Sequence, residues 1–294
     1  MPTKIVVDHH TRYDYDRHTK LSPQLVRLHP VPHFNRPILE YQLDIKPGDH
    51  TVKWQKDSYG NTIASVTLHG KVNHFEVNVK IITEVSSVRP KDALELSLES
   101  MVLRHPFNYD ESEIGQLTPY LKITEDDNHL SNFIGKLKEG NSTRAIELVE
   151  KVNRLIYNSI QYRIRMKPGV QSCEETLLTA SGSCRDLAWL AVQTLRHLGF
   201  AARFVSGYLV QLNSNDESSS KPLVEDFTDL HAWTEVYLPE VGWIGIDPTT
   251  GTFETEGYIP LACTPTPKEA APIFGTFETA EASLYFENKV KRIA

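Results

Sequence analysis

A chain of 294 residues with 40% hydrophobic and 23% charged residues is globular in composition and long enough to bury a sizeable core, which excludes an intrinsically disordered protein. The formal net charge of −7, with acids and bases interspersed, argues against a nucleic-acid or anionic-membrane partner, since both select basic patches. No apolar run approaches the ~18 residues of a membrane span. MPTKIVVDHHTRYDYD at the N-terminus lacks the apolar stretch of a secretory signal, so the cytoplasm is the default expectation.

The first ninety-odd residues read as β. ILEYQLDIKP, HTVKWQKDSYGNTIASVTL and HFEVNVKIITEV alternate apolar and polar positions. KPGD at Lys46 to Asp49 is a turn signal, and DSYGN at Asp57 to Asn61 separates two runs as a hairpin turn does. An antiparallel β-sandwich over residues 1–95 is predicted. Nine of the twelve histidines lie at or before His105, without ligand spacing. His9 and His10 point to opposite faces of a strand, and these histidines read as surface or packing residues.

Residues 96–140 are richer in acids and turns, as in RHPFNYDESEIGQLTPYL and ITEDDNH, and read as a linker with short helices packing on the next domain. A core domain is expected over 141–294. It opens with Asn141, Ser142 and Thr143 as N-cap candidates for a helix whose stripe is Ile146, Val149, Val152, Ile156 and Ile160. From Phe200, strand signals return in FAARFVSGYLVQL. A polar loop, NSNDESSSKP, comes next, and then HAWTEVYLP and GWIGIDPTT joined by a short turn. The tail holds TPTP and GTFET and ends in basic residues.

The candidate chemistry starts in ASGSCRDLAWLAVQTLRHLGF, from Ala180 to Phe200. Leu187, Ala188, Ala191, Leu195 and Leu198 form a helical face, and Gly199 suits its stop. Cys184 then falls inward on the first turn, where free N–H groups and the helix dipole favour a thiolate and can hold an oxyanion. Gly182 and Ser183 leave space for a substrate backbone. A cysteine on an inward face is more often a small hydrophobe, so a base and an orienter are needed to make it a nucleophile. DLHAWTEVYLPEVGWIGIDP supplies both: His231 begins one strand and Asp247 ends the next. A same-face His231–Asp247 pair needs an odd number of loop residues or a bulge. Asp247 can then accept from one imidazole nitrogen and leave the other for the thiol.

GSCRDLAWL followed by DLHAWTEVYLPEVGWIGIDPTTG resembles the transglutaminase-like superfamily of papain-type cysteine enzymes. The order Cys, His, Asp, with spacings of 47 and 16 residues, fits its compact bacterial members. TRYDYDRHTKLSPQLVRLHPVP and KWQKDSYGNTIASVTL resemble the β-rich domain that precedes the core in bacterial transglutaminase-like proteins. The resemblance implies an α+β fold with the nucleophile helix packed on an antiparallel sheet. It implies Cys184 as nucleophile, His231 as base and acid, and Asp247 as orienter.

Asp186 caps or favours the first turn. Trp233 and Trp243 read as core or pocket wall. A second oxyanion donor is expected from outside the helix, and Tyr162 in SIQYRIR is the candidate. Cys173 and Cys263 read as structural. Three cysteines with no CxxC pair suit a reducing compartment and no structural zinc. A zinc site from Cys184, His231 and Asp247 is disfavoured, because catalytic zinc usually takes two closely spaced ligands from one element. No metal or other cofactor is expected. The expected activity is acyl transfer on a peptide or protein amide, by hydrolysis. The alternatives are transfer to an amine, as in a transglutaminase, and a non-catalytic binding module.

Overall fold

The computed structural model describes residues 2–34, 36–86, 103–137, 143–213, 225–239, 241–254 and 257–293. Alternation in the N-terminal segments produces β1 (Pro2–Thr19), β2 (Gln24–Val26), β3 (Ile38–Lys46), β4 (His50–Lys56), β5 (Thr62–Leu68) and β6 (Val72–Ser86). β6 lies between β1 and β3, antiparallel to both. β4 and β5 form the predicted hairpin, whose turn is closed by the Asp57 carboxylate accepting from the amides of Tyr59 and Asn61 at 2.9 Å each. Gly60 supplies the positive φ of 86° that this turn requires. Ile5, Val7, Phe75 and Val77 on one sheet and Val26, Ala64 and Val66 on the other bury into one cluster, which makes the two sheets a sandwich. Each fully buried side chain of this kind contributes roughly 1.5–3 kcal/mol. His9 points into this interior and is 3% exposed, as alternation against His10 demands.

The middle of the chain carries β7 (Arg104–His105), α1 (Glu111–Leu121), α2 (Asn128–Gly135), β8 (Thr143–Arg144), α3 (Ala145–Ser159), β9 (Gln161–Tyr162), α4 (Cys173–Thr179), β10 (Ser181–Gly182) and α5 (Cys184–His197). The predicted stripe of α3 is buried at every position. Its start differs from the sequence expectation. Thr143 pairs with His105 in a short ladder, and Arg144 is the extended N-cap residue. Asn141 and Ser142 lie outside the described residues. α5 is more deeply set than an amphipathic helix. Every residue from Asp186 to Arg196 is buried, because α2, α3 and α4 cover the side that does not face the sheet.

That sheet comprises β11 (Ala202–Gln211), β12 (Phe227–Leu238), β13 (Gly242–Asp247), β14 (Thr252–Phe253) and β15 (Tyr258–Thr264), in the order β14-β13-β12-β11-β15, all antiparallel. Ala232, Val236, Ile244 and Ile246 face α5. The opposite face carries Trp233, Val205, Tyr258 and Cys263 and is covered by Val31 and Phe34 of the segment between β2 and β3. The polar loop NSNDESSSKP falls largely outside the described residues.

The tail corrects one expected boundary. β16 (Ile273–Phe274) pairs with β2, and β17 (Ala282–Ile293) pairs with β1 from Tyr15↔Ala282 to Lys4↔Ile293. Residues 273–293, assigned by sequence to the 141–294 core, thus complete the N-terminal sandwich. The pattern gave no warning because β17 is an edge strand exposed at most positions, so one buried face does not stand out.

Candidate active site

Cys184 is the first residue of α5. Ser183 caps the helix, and Asp186 reaches back to accept from the Ser183 amide at 2.8 Å and its hydroxyl at 2.7 Å. This reciprocal arrangement satisfies helix-end donors and fixes the entry of the chain. Asp186 is 1% exposed and also accepts from Arg165 Nη2 and the Gln171 amide, both at 2.7 Å. Burial alone would raise its carboxyl, but Arg165 and the amides hold it below the usual carboxylate range. Arg165 therefore anchors the segment before α4 to the cap. A Cβ on Gly182 would lie 2.8 Å from Asp186 Cβ, so the cap itself requires its small size.

The β12–β13 hairpin supplies the other two groups. Leu238 pairs with Gly242, so three residues lie between the strands, which is the odd number that puts His231 and Asp247 on one face. His231 Nε2 and Asp247 Oδ2 are 2.8 Å apart. The Cys184 thiol is near enough to His231 to raise its affinity for a proton, and with Nε2 engaged, Nδ1 is the ring nitrogen left to serve it. Cys184, His231 and Asp247, from three elements, are brought into one string.

Asp247 is completely buried. Oδ2 also accepts from the Tyr258 hydroxyl at 2.7 Å, and Oδ1 accepts from the Thr249 amide at 2.8 Å and hydroxyl at 2.7 Å. Burial opposes ionisation of this carboxyl, but these donors and His231 outweigh it and hold it below the usual range. Burial likewise works against the imidazolium, yet the Asp247 hydrogen bond and the thiol push His231 up to about 10. Both shifts favour a proton on His231 and a charge on Asp247. Cys173 and Cys263 are each 1% exposed, and burial pushes both thiols well above the ordinary range, whereas Cys184 is partly exposed.

Residues 5–84 match the bacterial transglutaminase-like N-terminal region, and residues 132–248 match the transglutaminase-like superfamily. Residues 132–248 form a transglutaminase-like domain. A solved structure from Cytophaga hutchinsonii, of a protein proposed to be a cysteine protease, superposes with a TM-score of 0.70 at 16% identity, covering 100% of this chain and 92% of that one. It shares the fold. An uncharacterized protein of Mycobacterium leprae is 24% identical over 274 residues, 92% of each chain. Another, from Mycobacterium tuberculosis, is 32% identical over 118 residues, 39% of this chain and 36% of that protein, so the match spans about a third of that relative's length. A protein-glutamine gamma-glutamyltransferase of Pseudomonas aeruginosa is 35% identical over 97 residues, 32% of this chain and 14% of that enzyme.

Other residues frame the string of this transglutaminase-like site. Tyr162 is 48% exposed and near enough to Cys184 to interact with it electrostatically. Its strand, β9, runs parallel to β10, which leads into the cap. Trp233 is fully buried and nearly parallel to the His231 ring, with centroids 6.4 Å apart, and donates Nε1–H to Glu254 at 3.2 Å. Trp243 packs under the Arg203 guanidinium, 4.1 Å from its ring centre. Tyr258 and Thr249 were missed by sequence reasoning. Thr249 had a signal, since a residue two after an aspartate often closes its turn. Tyr258 comes from another strand across the sheet and had none.

Away from the thiol, His33, Glu235 and Cys263 bring possible metal-ligand atoms within 4.8 Å of one another. Arg203 already lies among them, hydrogen-bonded to Glu235 at 2.5 Å and to His33 at 3.1 Å, and supplies the positive charge that a cation would bring. Among the described residues, no helix is long and apolar enough to cross a membrane.

Proposed function

We propose that this protein hydrolyses an amide bond in a peptide or protein through a Cys184 thioester. Cys184 sulfur attacks the carbonyl carbon, and the tetrahedral oxyanion is held by the free N–H groups at the start of α5, with Tyr162 as the second donor. The C–N bond breaks as His231 gives its proton to the departing amine, leaving a thioester. Water then attacks, His231 takes its proton, and the acid leaves as the thiol is restored. Asp247 orients the imidazole throughout. The observation that carries this reading is the buried His231–Asp247 pair beside a partly exposed thiol at a helix N-terminus. Exposure on the Tyr162 side gives water access to the thioester, which favours hydrolysis over transfer to an amine. A reducing, cytoplasmic setting suits a thiol that must stay unoxidised.

A second reading, transfer to a lysine-like amine, draws on the likeness to the Pseudomonas aeruginosa enzyme. Dye-labelled casein incubated with and without dansylcadaverine separates the two. Release of small fragments that is lost in Cys184→Ala supports hydrolysis, while Cys184-dependent dansyl incorporation without fragments replaces it with transfer. Neither product, across a peptide library, would leave the non-catalytic binding module.

A further inference from the structure

The N-terminal sandwich is open where its two edge strands, β3 and β4, face each other. Between them lies a cavity of about 490 Å³ lined by His29, Tyr41, Leu43, Val52, Trp54 and Thr62, within the range of about 300–1,000 Å³ typical of small-molecule sites. The ring centroids of His29 and Tyr41 are 4.5 Å apart, and each lies 5.9 Å from that of Trp54. Trp54 is 46% exposed although it is the largest side chain in the wall. The Tyr41 hydroxyl is buried with no hydrogen-bond partner among the described residues. Tyr208, which is entirely buried and interacts electrostatically with Tyr41, has a second unpartnered hydroxyl. Tyr208 lies behind the wall and Tyr41 is part of it; a buried hydroxyl without a partner is disfavoured by about 1–3 kcal/mol, so the Tyr41 hydroxyl favours a ligand that brings a hydrogen-bonding group.

We propose that this cavity binds an uncharged saccharide, with a sugar face stacked on Trp54 and its hydroxyls bonded to Tyr41, His29 and Thr62. None of the six lining residues is an acid, lysine or arginine, which removes the counter-ion that a phosphate, carboxylate or amine needs. The three rings touch one another instead of standing apart, so they form a wall and not a cage with room for a quaternary ammonium between faces. A purely apolar ligand would leave the Tyr41 hydroxyl unpaired. His29 Nδ1 is committed to the Pro30 carbonyl at 2.8 Å, which fixes the tautomer and leaves Nε2 as an acceptor for a sugar hydroxyl.

The test is calorimetric titration of the full chain with cellobiose, maltose and N,N′-diacetylchitobiose, with choline and N-acetyl-leucinamide as the other ligand classes. Saturable binding of at least one disaccharide is expected, weakened about tenfold or more by Trp54→Ala and retained in Trp54→Phe, which keeps a stacking face and guards against an unfolded variant. Tyr41→Phe is expected to weaken it severalfold. Binding of none of the disaccharides, binding indifferent to Trp54→Ala, or preference for choline or the leucine amide would overturn the proposal.

Discussion

Asp247 and Tyr258 are eleven residues apart in the chain, yet the Tyr258 hydroxyl donates to Asp247 Oδ2 at 2.7 Å, the same oxygen that faces His231. With Thr249 holding Oδ1 twice, the carboxylate has no freedom to rotate. The carboxylate proposed to fix the imidazole is thus itself fixed from a third strand, and the turn after β13 and the edge strand β15 become part of the site.

Tyr258→Phe keeps the ring and removes only this donor. A hydrogen bond to a buried charge contributes roughly 1.5–3 kcal/mol, so denaturant unfolding should show a loss of about that size, with no change in the slope against denaturant. Unchanged stability would mean that the hydroxyl is not bonded to the carboxylate.

Asp247→Asn tests the orienter. In the proposed reaction it should leave the protein folded and lower turnover by about 10²–10⁴-fold through the wrong tautomer. The pH profile carries the sign. His231 lies above its free value of 6.5, at about 10, so the imidazolium persists through neutrality and activity that needs it falls only as pH rises toward that value. Removing the carboxylate takes away the main support of the proton, and the alkaline limb should move to lower pH. The stability that this proton contributes follows the same course: fully present below about 6.5, lost as pH rises through the folded value. Equal profiles for the two proteins would remove Asp247 from the mechanism.

Much of this site was legible because its parts are local. The cap and the apolar run of α5 depend on residues within a few positions, and the motifs around Cys184, His231 and Asp247 are short, whereas the hairpin parity stays open until Leu238 is placed opposite Gly242. Gly182 reads as leaving space for a substrate backbone, and sequence alone does not foresee its crowding by Asp186. The partners of Asp247 and the return of residues 273–293 to the sandwich depend on register between distant strands, which alternation does not encode. β17 pairs along β1 over a long ladder while exposing Leu284, Tyr285 and Phe286, so it carried no core signature.

The three thiols should separate cleanly. With limiting iodoacetamide near neutral pH, alkylation is expected at Cys184 alone, because burial closes off Cys173 and Cys263. Peptide mapping after intact-mass analysis reads the site. Comparable labelling at all three would remove the basis for a thiol mechanism.

Arg165→Met tests the anchor beneath the nucleophile. Arg165 Nε and Nη2 bond to the two Asp186 oxygens at 3.0 and 2.7 Å, and Arg165 is partly solvated while Asp186 is not. Three protein donors to Asp186 survive the change, so the loss should be that of a charged hydrogen bond, roughly 1.5–3 kcal/mol, below that of stranding a buried ion outright. Because Asp186 is depressed in the fold, its contribution is present above the unfolded value of about 3.9 and lost as pH falls through the folded one. The gap between wild type and variant in urea midpoints should therefore narrow in strong acid. A gap that persists there would assign the effect to packing of the arginine stem.

Gly207→Ala probes how closely the sheet is built around the imidazole. Gly207 stands opposite His231 across the β11–β12 ladder. A Cβ there would lie 2.3 Å from the Ile259 carbonyl oxygen and 2.5 Å from Trp233 Cη2. Neither neighbour can retreat easily: the carbonyl belongs to β15, and Trp233 is fully buried with its indole N–H on Glu254. Overpacking of this kind costs about 1–3 kcal/mol, and the indole is the more movable of the two. The variant should unfold at lower denaturant and show an altered near-ultraviolet tryptophan signal, with turnover reduced because Trp233 no longer lies flat against the His231 ring. A variant with lowered stability but unaltered tryptophan signal and turnover would show that β15 yields instead, and that the Trp233 stack is not what holds the imidazole.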